Sequence, residues 1–579
     1  MPMYKAYRTV AALTIAGALT SSLSFAQNAE DERRLQEIAR TAAQNFAAAR
    51  VEADQTRPTA PPPPAGAVVE LSLDAATERA LERNLDIAVE RLNPQTFDFS
   101  LAALDANYRP TLNSNFGLRS QSQFQRSQTA GAANNLGLLT TDTLTNNYGV
   151  SQNMKWGGGS FAVGFNNSRQ EQSDLFATRN PALNANLTGT YVQPLLRNFR
   201  IDGTRATLQI TKINQEISET ALRATISRTL VTVRNAYWDL VYAIAAAEVA
   251  ERSLSLATRL VEDNQARVEV GTLAPLDVLQ AQAEQANRRG TVAQTAAARR
   301  TAELALKQLI VNGTDDPLWS VTIEPIDRPT YSSTPIDVAG AVRRALGMRT
   351  DLETARRQLA SNDVSLKSLT DQQMPALDLT ASYGMAGIGG PQFFRQGFGG
   401  VVTDVVPGGY SDALRLLAGR DAPSWNVSLN FSYPIGASPA EANVARARLQ
   451  QRQTIAQTRA MELRVATEVT NAALQVEATR ERLQAATVAL DLAEKRLEAE
   501  QSRFDVGLTT NFFVVQAQRD LRDAQNAELR ALLDYRRAQV DLERVQEIPA
   551  GGGGGGITSI QGGGGQAPRA NAGGGGFGN

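Results

Sequence analysis

Two periodicities alternate along this chain, and each occurs twice. In one, apolar residues recur every three to five positions. Ile210, Ile213, Ile217, Leu222, Ile226, Leu230, Val233, Tyr237, Val241 and Ile244 form such a stripe, and the spacing predicts a coiled-coil-like helix over about 204–269. A second long helix is expected over 441–505. Shorter helices are expected over 71–105 and 336–370, and over 275–311 and 511–547. The other periodicity is two. Trp425, Val427, Leu429, Phe431 and Tyr433 alternate with Asn426, Ser428, Asn430 and Ser432. Leu377, Leu379, Ala381, Tyr383 and Met385 alternate with Asp378, Thr380, Ser382 and Gly384. Weaker alternation marks 110–118, 146–156, 160–167 and 185–193. These segments predict strands with one apolar and one polar face.

The lengths constrain the architecture. A helix of about 66 residues spans roughly 100 Å at 1.5 Å per residue, more than a compact domain needs. The two shorter helices of each half sum to the long one, so stacked end to end they run beside it. Such rods leave long flanks unpaired, which implies lateral association. Alternation over nine to eleven residues is the length of a tilted membrane-crossing strand, although a half-buried soluble sheet alternates in the same way. Pro110 and Pro375 precede a strand, and Pro194 and Pro434 follow one, at ends where no ladder hydrogen bond is lost.

The order of elements is a duplication. Arg267-Val268-Glu269-Val270-Gly271 is matched by Arg503-Phe504-Asp505-Val506-Gly507, and Val278-Leu279-Gln280-Ala281-Gln282 by Val514-Val515-Gln516-Ala517-Gln518, both 236 residues on. Ala80-Leu81, Asp86, Pro110 and Leu112 are matched 265 residues on by Ala345-Leu346, Asp351, Pro375 and Leu377. Pro194 is echoed by Pro434. Helix starts are signalled by Thr334-Pro335-x-Asp337 and by Ser438-Pro439-x-Glu441, a hydroxyl cap with Pro at N1 and an acid at N3. Gly271 and Gly507 stand where one helix ends and an antiparallel one begins.

Composition narrows the function. The 579 residues contain no Cys and no His, which excludes disulfides, thiolate or imidazole metal sites and Ser-His or Cys-His catalysis. No catalytic, cofactor-binding or metal-binding constellation is evident. With 58 Lys+Arg against 59 Asp+Glu, nothing favours nucleic acid. No run of 18 apolar residues exists, so a membrane role requires a surface helix or a β-barrel. Lys5 and Arg8, the apolar stretch Val10–Leu19 and Ser24-Phe25-Ala26 read as an export signal cut after Ala26. Residues 27–67 read as a polar helix and a Pro-rich linker ending in Pro61–Pro64, and 549–579 as a Gly-rich disordered tail. A few strands per chain leave exposed edges, which lipid does not tolerate, so the barrel has to be shared between identical copies.

At the paired Arg-x-x-Val-Gly turns, each followed by Val-x-Gln-Ala-Gln, the chain resembles the TolC family of outer-membrane efflux proteins. The resemblance covers about 71–548. It implies a mostly α, α+β fold built from a duplicated helix–strand–helix unit (68–311 and 336–548). Three copies would form an outer-membrane β-barrel continuous with a long periplasmic α-helical barrel, with a collar near the 312–335 connector. Such a homotrimer would sit in outer-membrane lipid as the passive exit duct of a tripartite efflux or type I secretion system. Its tips, Val270, Gly271, Val506 and Gly507, would dock a periplasmic membrane-fusion adaptor coupled to an inner-membrane pump of RND (proton-driven) or ABC (ATP-driven) type. Well-known members use an Asp just after the first tip in closing the entrance, and Asp277 occupies that place. A solvated helix charge would look the same. The cationic partner's place holds Leu508. Where acidic residues often line the entrance, this chain has Phe513 and Gln516, with Asp520 and Asp523 deeper.

Two points stay open at this level. The stretch Tyr148–Trp156, Gly157-Gly158-Gly159 and Phe161–Phe165 reads as an extra hairpin. It is expected above a barrel of four strands per chain, and its inclusion would give six per chain and eighteen in a trimer. Residues 386–423, with Phe393, Phe394, Phe398 and many Gly, read as a long loop. An exported coiled-coil scaffold with a soluble sheet is the competing function.

Overall fold

The computed structural model describes residues 68–125, 131, 137–271, 274–328, 336–397, 400–436 and 438–549. The expected export signal, the 27–67 segment, the Gly-rich tail from 550 on, Thr334, Pro335 and Phe398 lie outside them.

In chain order the first half has strand β1 (Val68–Leu71) and helices α1 (Leu73–Arg83) and α2 (Leu85–Ala106). Strands β2 (Thr111–Phe124), β3 (Leu138–Asn153), β4 (Ser160–Gln172) and β5 (Ala182–Pro194) follow, then helices α3 (Gly203–Glu269) and α4 (Pro275–Ile310). Helix α5 (Pro317–Ser320) and strand β6 (Thr322–Pro325) lie in the connector. The second half has α6 (Val338–Met348), α7 (Thr350–Gln372), β7 (Ala376–Gly389), β8 (Gln392–Arg395), β9 (Val402–Val406), α8 (Tyr410–Gly419), β10 (Pro423–Ser432), α9 (Pro439–Asp505) and α10 (Asn511–Glu547). The chain divides into two compact units. The small one comprises residues 1–69 and 315–324, with α5 and most of β6 among its described elements; the large one holds both repeats.

Within the large unit, α3 and α9 are each 67 residues long, roughly 100 Å of rod. Each is accompanied by the shorter helices of its own half, as the lengths require: α1, α2 and α4 along α3, and α6, α7 and α10 along α9. The halves join where α3 meets α7 and α10. Four helices therefore lie abreast, α2–α3–α7–α9 nearer the sheet and α4–α3–α10–α9 nearer the tips. A layer one helix thick covers only two flanks of each rod. That is why the long stripe on α3 is mostly half-exposed, with only Val233 and Tyr237 fully buried among its expected members. Many of the buried positions are instead small ones, such as Ala243, Ala247, Ala250 and Ala257 on α3 and Ala447, Ala472 and Ala473 on α9. The outer helices of the layer leave large apolar side chains uncovered, including Val89 and Phe99 on α2 and Leu463 and Val488 on α9.

Two helices expected to be continuous are each broken once, at Asn84 and Arg349. Both residues adopt extended backbone, φ/ψ −67/127 and −62/129. They are 265 residues apart, at corresponding positions of the repeat. The apolar pattern runs through each break and hides it. Asn84 caps α2 by accepting from the N–H groups of Asp86 and Ile87 at 3.0 and 3.2 Å, and its amide donates to the Leu309 carbonyl at 3.0 Å in the last turn of α4. Arg349 donates to Asp351 at 2.8 Å, to Glu468 at 2.6 Å and to the Val545 carbonyl at 3.3 Å in the last turn of α10. Each break thus satisfies a carbonyl that the end of a helix leaves without an intrahelical partner.

The helix starts follow the sequence signals in part. Asp337, expected at N3, is itself the cap of α6, accepting from the Gly340 N–H at 2.9 Å. Ser438 accepts from the Glu441 N–H at 3.2 Å with Pro439 at N1, so the hydroxyl cap of α9 forms as expected. In the first half Asp202 caps α3 by accepting from the Arg205 N–H at 2.8 Å.

Six strands form one antiparallel sheet in the order β10-β7-β5-β4-β3-β2. The hairpin expected to stand above a four-stranded contribution is instead part of this sheet. β3 pairs with β2 from Ser151 opposite Thr111 to Leu138 opposite Phe124, and β4 pairs with β5 from Ser160 opposite Val192 to Gln170 opposite Ala182. Gly157 and Gly158, at φ 63° and 66°, turn the chain between β3 and β4. The expected 386–423 loop is also partly ordered. β7 runs on to Gly389, β8 and β9 pair, and α8 folds back onto β7 and β5. Only glycine fits beneath α8, because a Cβ at Gly387 would lie 1.9 Å from the Ala413 carbonyl oxygen.

Candidate functional site

The two tips have one backbone geometry. Gly271 and Gly507 both have φ 78°, the left-handed region that a β-branched residue avoids. Among the described residues no atom outside the chain neighbours comes within 4 Å of a Cβ built at either position, so the constraint is conformational and not steric. Around them, Val270 is 74% exposed, Val506 69% and Leu508 79%. Leu276, Leu279, Phe512 and Phe513 are also exposed, and the last two rings meet edge-on at 5.6 Å. Large apolar side chains held open to solvent at a helix end mark an interaction surface.

The tips are tied together through one arginine. The Arg267 guanidinium lies 4.3 Å from the centre of the Phe504 ring and donates to the Phe504 carbonyl at 3.2 Å and to Asp505 at 3.1 Å. Phe504 is buried with Leu260 and Val514. Arg503, at the matching position of the second repeat, reaches only Glu500 in its own helix, at 3.2 Å.

The expected entrance residues fall into three environments. Asp277 sits in the first turn of α4, and its carbonyl accepts from the Asn511 amide at 3.4 Å. Among the described residues its carboxylate has no ion pair. Gln516 donates to Asp520 at 2.8 Å, and Asp520 also accepts from Arg496 at 2.9 Å. Asp523 accepts only from its neighbour Arg522, at 2.5 Å. The structure therefore brings Gln516 and Asp520 together and leaves Asp277, Phe513 and Asp523 outside that pair.

A cluster that sequence reasoning missed lies beside them. Glu284 on α4, almost wholly buried, pairs with Arg288 at 2.5 Å and with Arg519 of α10 at 2.5 Å. Burial pushes the Glu284 carboxyl up, but the hydrogen bond from Arg519 and the charges of both arginines outweigh it and hold it below its usual value. Burial draws the Arg288 guanidinium down, while Arg519 is raised by its bond to Glu284. The four-residue spacing of Glu284 and Arg288 is visible in the sequence. What it does not show is that both are buried against the other hairpin.

The sheet is two-faced across all six strands. In register on one face stand Val150 of β3, Val163 of β4, Gly189 of β5, Tyr383 of β7 and Trp425 of β10. Further along the same face come Tyr148, Phe165, Leu187 and Met385, and in the other direction Leu379 and Leu429. The opposite face is polar, with Asn147, Asn166, Asn186, Thr188, Thr380 and Ser428 among its members. Beyond Met385 the apolar face gives way to polar side chains at Asn167 and Arg169. There α8 lies across it, with the Tyr410 hydroxyl donating to Asn167. No helix is long and apolar enough to cross a membrane among the described residues. A sheet with one apolar and one polar face, ending in rods with apolar tips, defines a membrane-spanning strand protein with a long helical extension.

The chain belongs to the outer membrane efflux protein family, which it matches over residues 160–312 and 341–545. Its fold is that of solved outer-membrane channels. The Campylobacter jejuni CmeC outer membrane channel aligns with TM-score 0.56 at 15% identity, over 82% of this chain and 85% of that one. The Vibrio cholerae outer membrane protein VceC aligns with TM-score 0.56 at 17% identity, over 82% and 95%. The Neisseria gonorrhoeae MtrE outer membrane channel aligns with TM-score 0.54 at 18% identity, over 82% and 88%. No curated protein matches in sequence.

Proposed function

We propose that three copies of this chain form a passive exit duct through the outer membrane, continued as a helical tunnel into the periplasm. The observation that carries this reading is the two-faced sheet with bare edges. β2 and β10 are the outermost strands and are exposed along most of their length. Because the six strands alternate in direction, β2 and β10 run oppositely, so copies placed side by side join antiparallel and leave no open edge in lipid. The uncovered apolar side chains on α2 and α9 lie on the flanks where a neighbouring copy's rods would pack. The apolar tips around Gly271 and Gly507 are the adaptor-docking surface, and an inner-membrane pump supplies the energy. Asp277, Phe513, Gln516, Asp520 and Asp523 line the periplasmic entrance. Nothing in this route requires chemistry on the cargo.

The mass of the full chain purified from membranes in mild detergent tests the assembly. A particle of three copies is expected, and a monodisperse monomer overturns the reading.

A further inference from the structure

The deepest departure of this chain from expectation is the number of strands it gives to the sheet. We infer that, in the trimer proposed above, on which this inference rests, the barrel has eighteen strands and a wide lumen lined with neutral amides and hydroxyls. It would therefore pass bulky cargo without selecting the sign of its charge.

The register carries the first part. β3 and β4 are not a flap attached to one corner. They sit in the middle of the sheet, between β2 and β5, which pair with β3 and β4 and not with each other. The apolar face runs through them without interruption. Tyr148 opposes Phe165 and Val150 opposes Val163, and these pairs continue the rows of Leu187 with Met385 and of Gly189 with Tyr383. A hairpin standing in water beyond the membrane gains nothing from a face that matches its neighbours row for row. Six is also even, so the two edge strands run oppositely, as closure by an antiparallel seam demands.

Width supplies an independent check. Strands about 4.8 Å apart and tilted by about 40° each take up roughly 6 Å of circumference, so six span about 38 Å. Four helices abreast at about 8–10 Å span about 32–40 Å. The sheet and the helical layer of one chain are thus matched in width, and a lumen can run from one to the other without a step. Four strands would span only about 25 Å on the same reckoning. Barrels of 16–18 strands leave an aqueous channel.

Lumen chemistry follows from parity. The face opposite the apolar one carries side-chain amides or hydroxyls on every strand. Its only ionisable side chains are Arg119 on β2 and Asp378 on β7, of opposite sign.

The absence of native cysteine makes the test direct. Single cysteines are placed in the full chain at Val163→Cys and Ala162→Cys on β4, with Leu429→Cys and Ser428→Cys on β10 as references. Each is treated in intact outer membranes with a membrane-impermeant maleimide. The inference predicts that Ala162→Cys and Ser428→Cys label readily, while Val163→Cys and Leu429→Cys label at least tenfold more slowly because they face lipid. If the β10 pair alternates and both β4 cysteines label, the hairpin lies outside the membrane. The eighteen-strand barrel then fails while the duct reading stands. If the β10 pair does not alternate either, the duct reading itself fails. Anionic and cationic thiol reagents, normalised to their rates with a free thiol, should modify Ala162→Cys within about twofold of each other. A tenfold preference for one sign would overturn the neutral lumen.

Discussion

The two halves of this chain carry the same rods and the same tips but different sheets and different breaks. α3 and α9 are equal in length, and Gly271 and Gly507 share a φ of 78°. Yet the first half contributes four strands to the sheet and the second contributes two. At the matched breaks, one half uses an amide and the other a buried guanidinium. The repeats agree where backbone geometry leaves one solution, a left-handed residue or a helix end of fixed length. They differ where a local need, satisfying a carbonyl or lengthening a sheet, has several answers.

That contrast is sharpest at the breaks, and it predicts unequal costs. Arg349 is 1% exposed and holds two carboxylates. Removing one partner of such a cluster leaves the others uncompensated. Arg349→Ala should cost about 3 kcal/mol, the low end of the range for buried pairs because Asp351 and Glu468 each keep some solvent contact. Asn84→Ala removes a cap and one amide bond and should cost about 1 kcal/mol. Chemical denaturation of the purified assembly checks the difference, and equal losses would remove the distinction between the two breaks.

The Glu284 cluster gives the next effect. Glu284 has no buried counterpart, since Asp520 at the matching position of the second repeat is half-exposed and pairs with Gln516 and Arg496. A carboxylate held below its usual pKa stabilises the fold fully above the ordinary carboxylate range, and this stabilisation is lost as pH falls through the lowered value. Glu284→Gln should cost about 1–3 kcal/mol at neutral pH and flatten the acid limb of the stability curve. An unchanged acid limb in the variant would assign the pH dependence elsewhere.

Helix starts give a small effect, of the same order as the Asn84 cap. Ser438→Ala removes only a hydroxyl cap and should cost about 1 kcal/mol. Asp202→Ala should cost more than this, because Asp202 also holds the Arg205 side chain at 2.6 Å. Reversal of that order, read from thermal midpoints, would mean that α9 depends on its start more than α3 does.

Much of the fold was legible in the sequence because it rests on period and length. The paired long helices, their shorter companions, the tip glycines and the alternating strands all follow from residues a few positions apart. What escaped depends on partners far along the chain. The breaks at Asn84 and Arg349 are fixed by the ends of α4 and α10, more than 190 residues away. The burial of Glu284 is set by Arg519. The early part of β3 was missed because Thr140, Asp142 and Asn146, polar residues at positions of its apolar face, dilute its alternation. The ordering of α8 depends on Gly387 and Gly389 admitting a helix, and a glycine in a strand does not announce what will cover it. At the tips the residues were legible, but the apolar exposure around them appeared only in the structure.

The central claim is that these tips couple a passive duct to its partner, and the double substitution Gly271→Val with Gly507→Val tests it most directly. A left-handed β-branched residue costs about 1–2 kcal/mol at each turn, confined to a helix end roughly 100 Å from the sheet. The measurement is the rate of substrate extrusion beside the amount of outer-membrane trimer in the same cells. The account predicts wild-type trimer with extrusion reduced at least severalfold, and wild-type extrusion at wild-type trimer would contradict it.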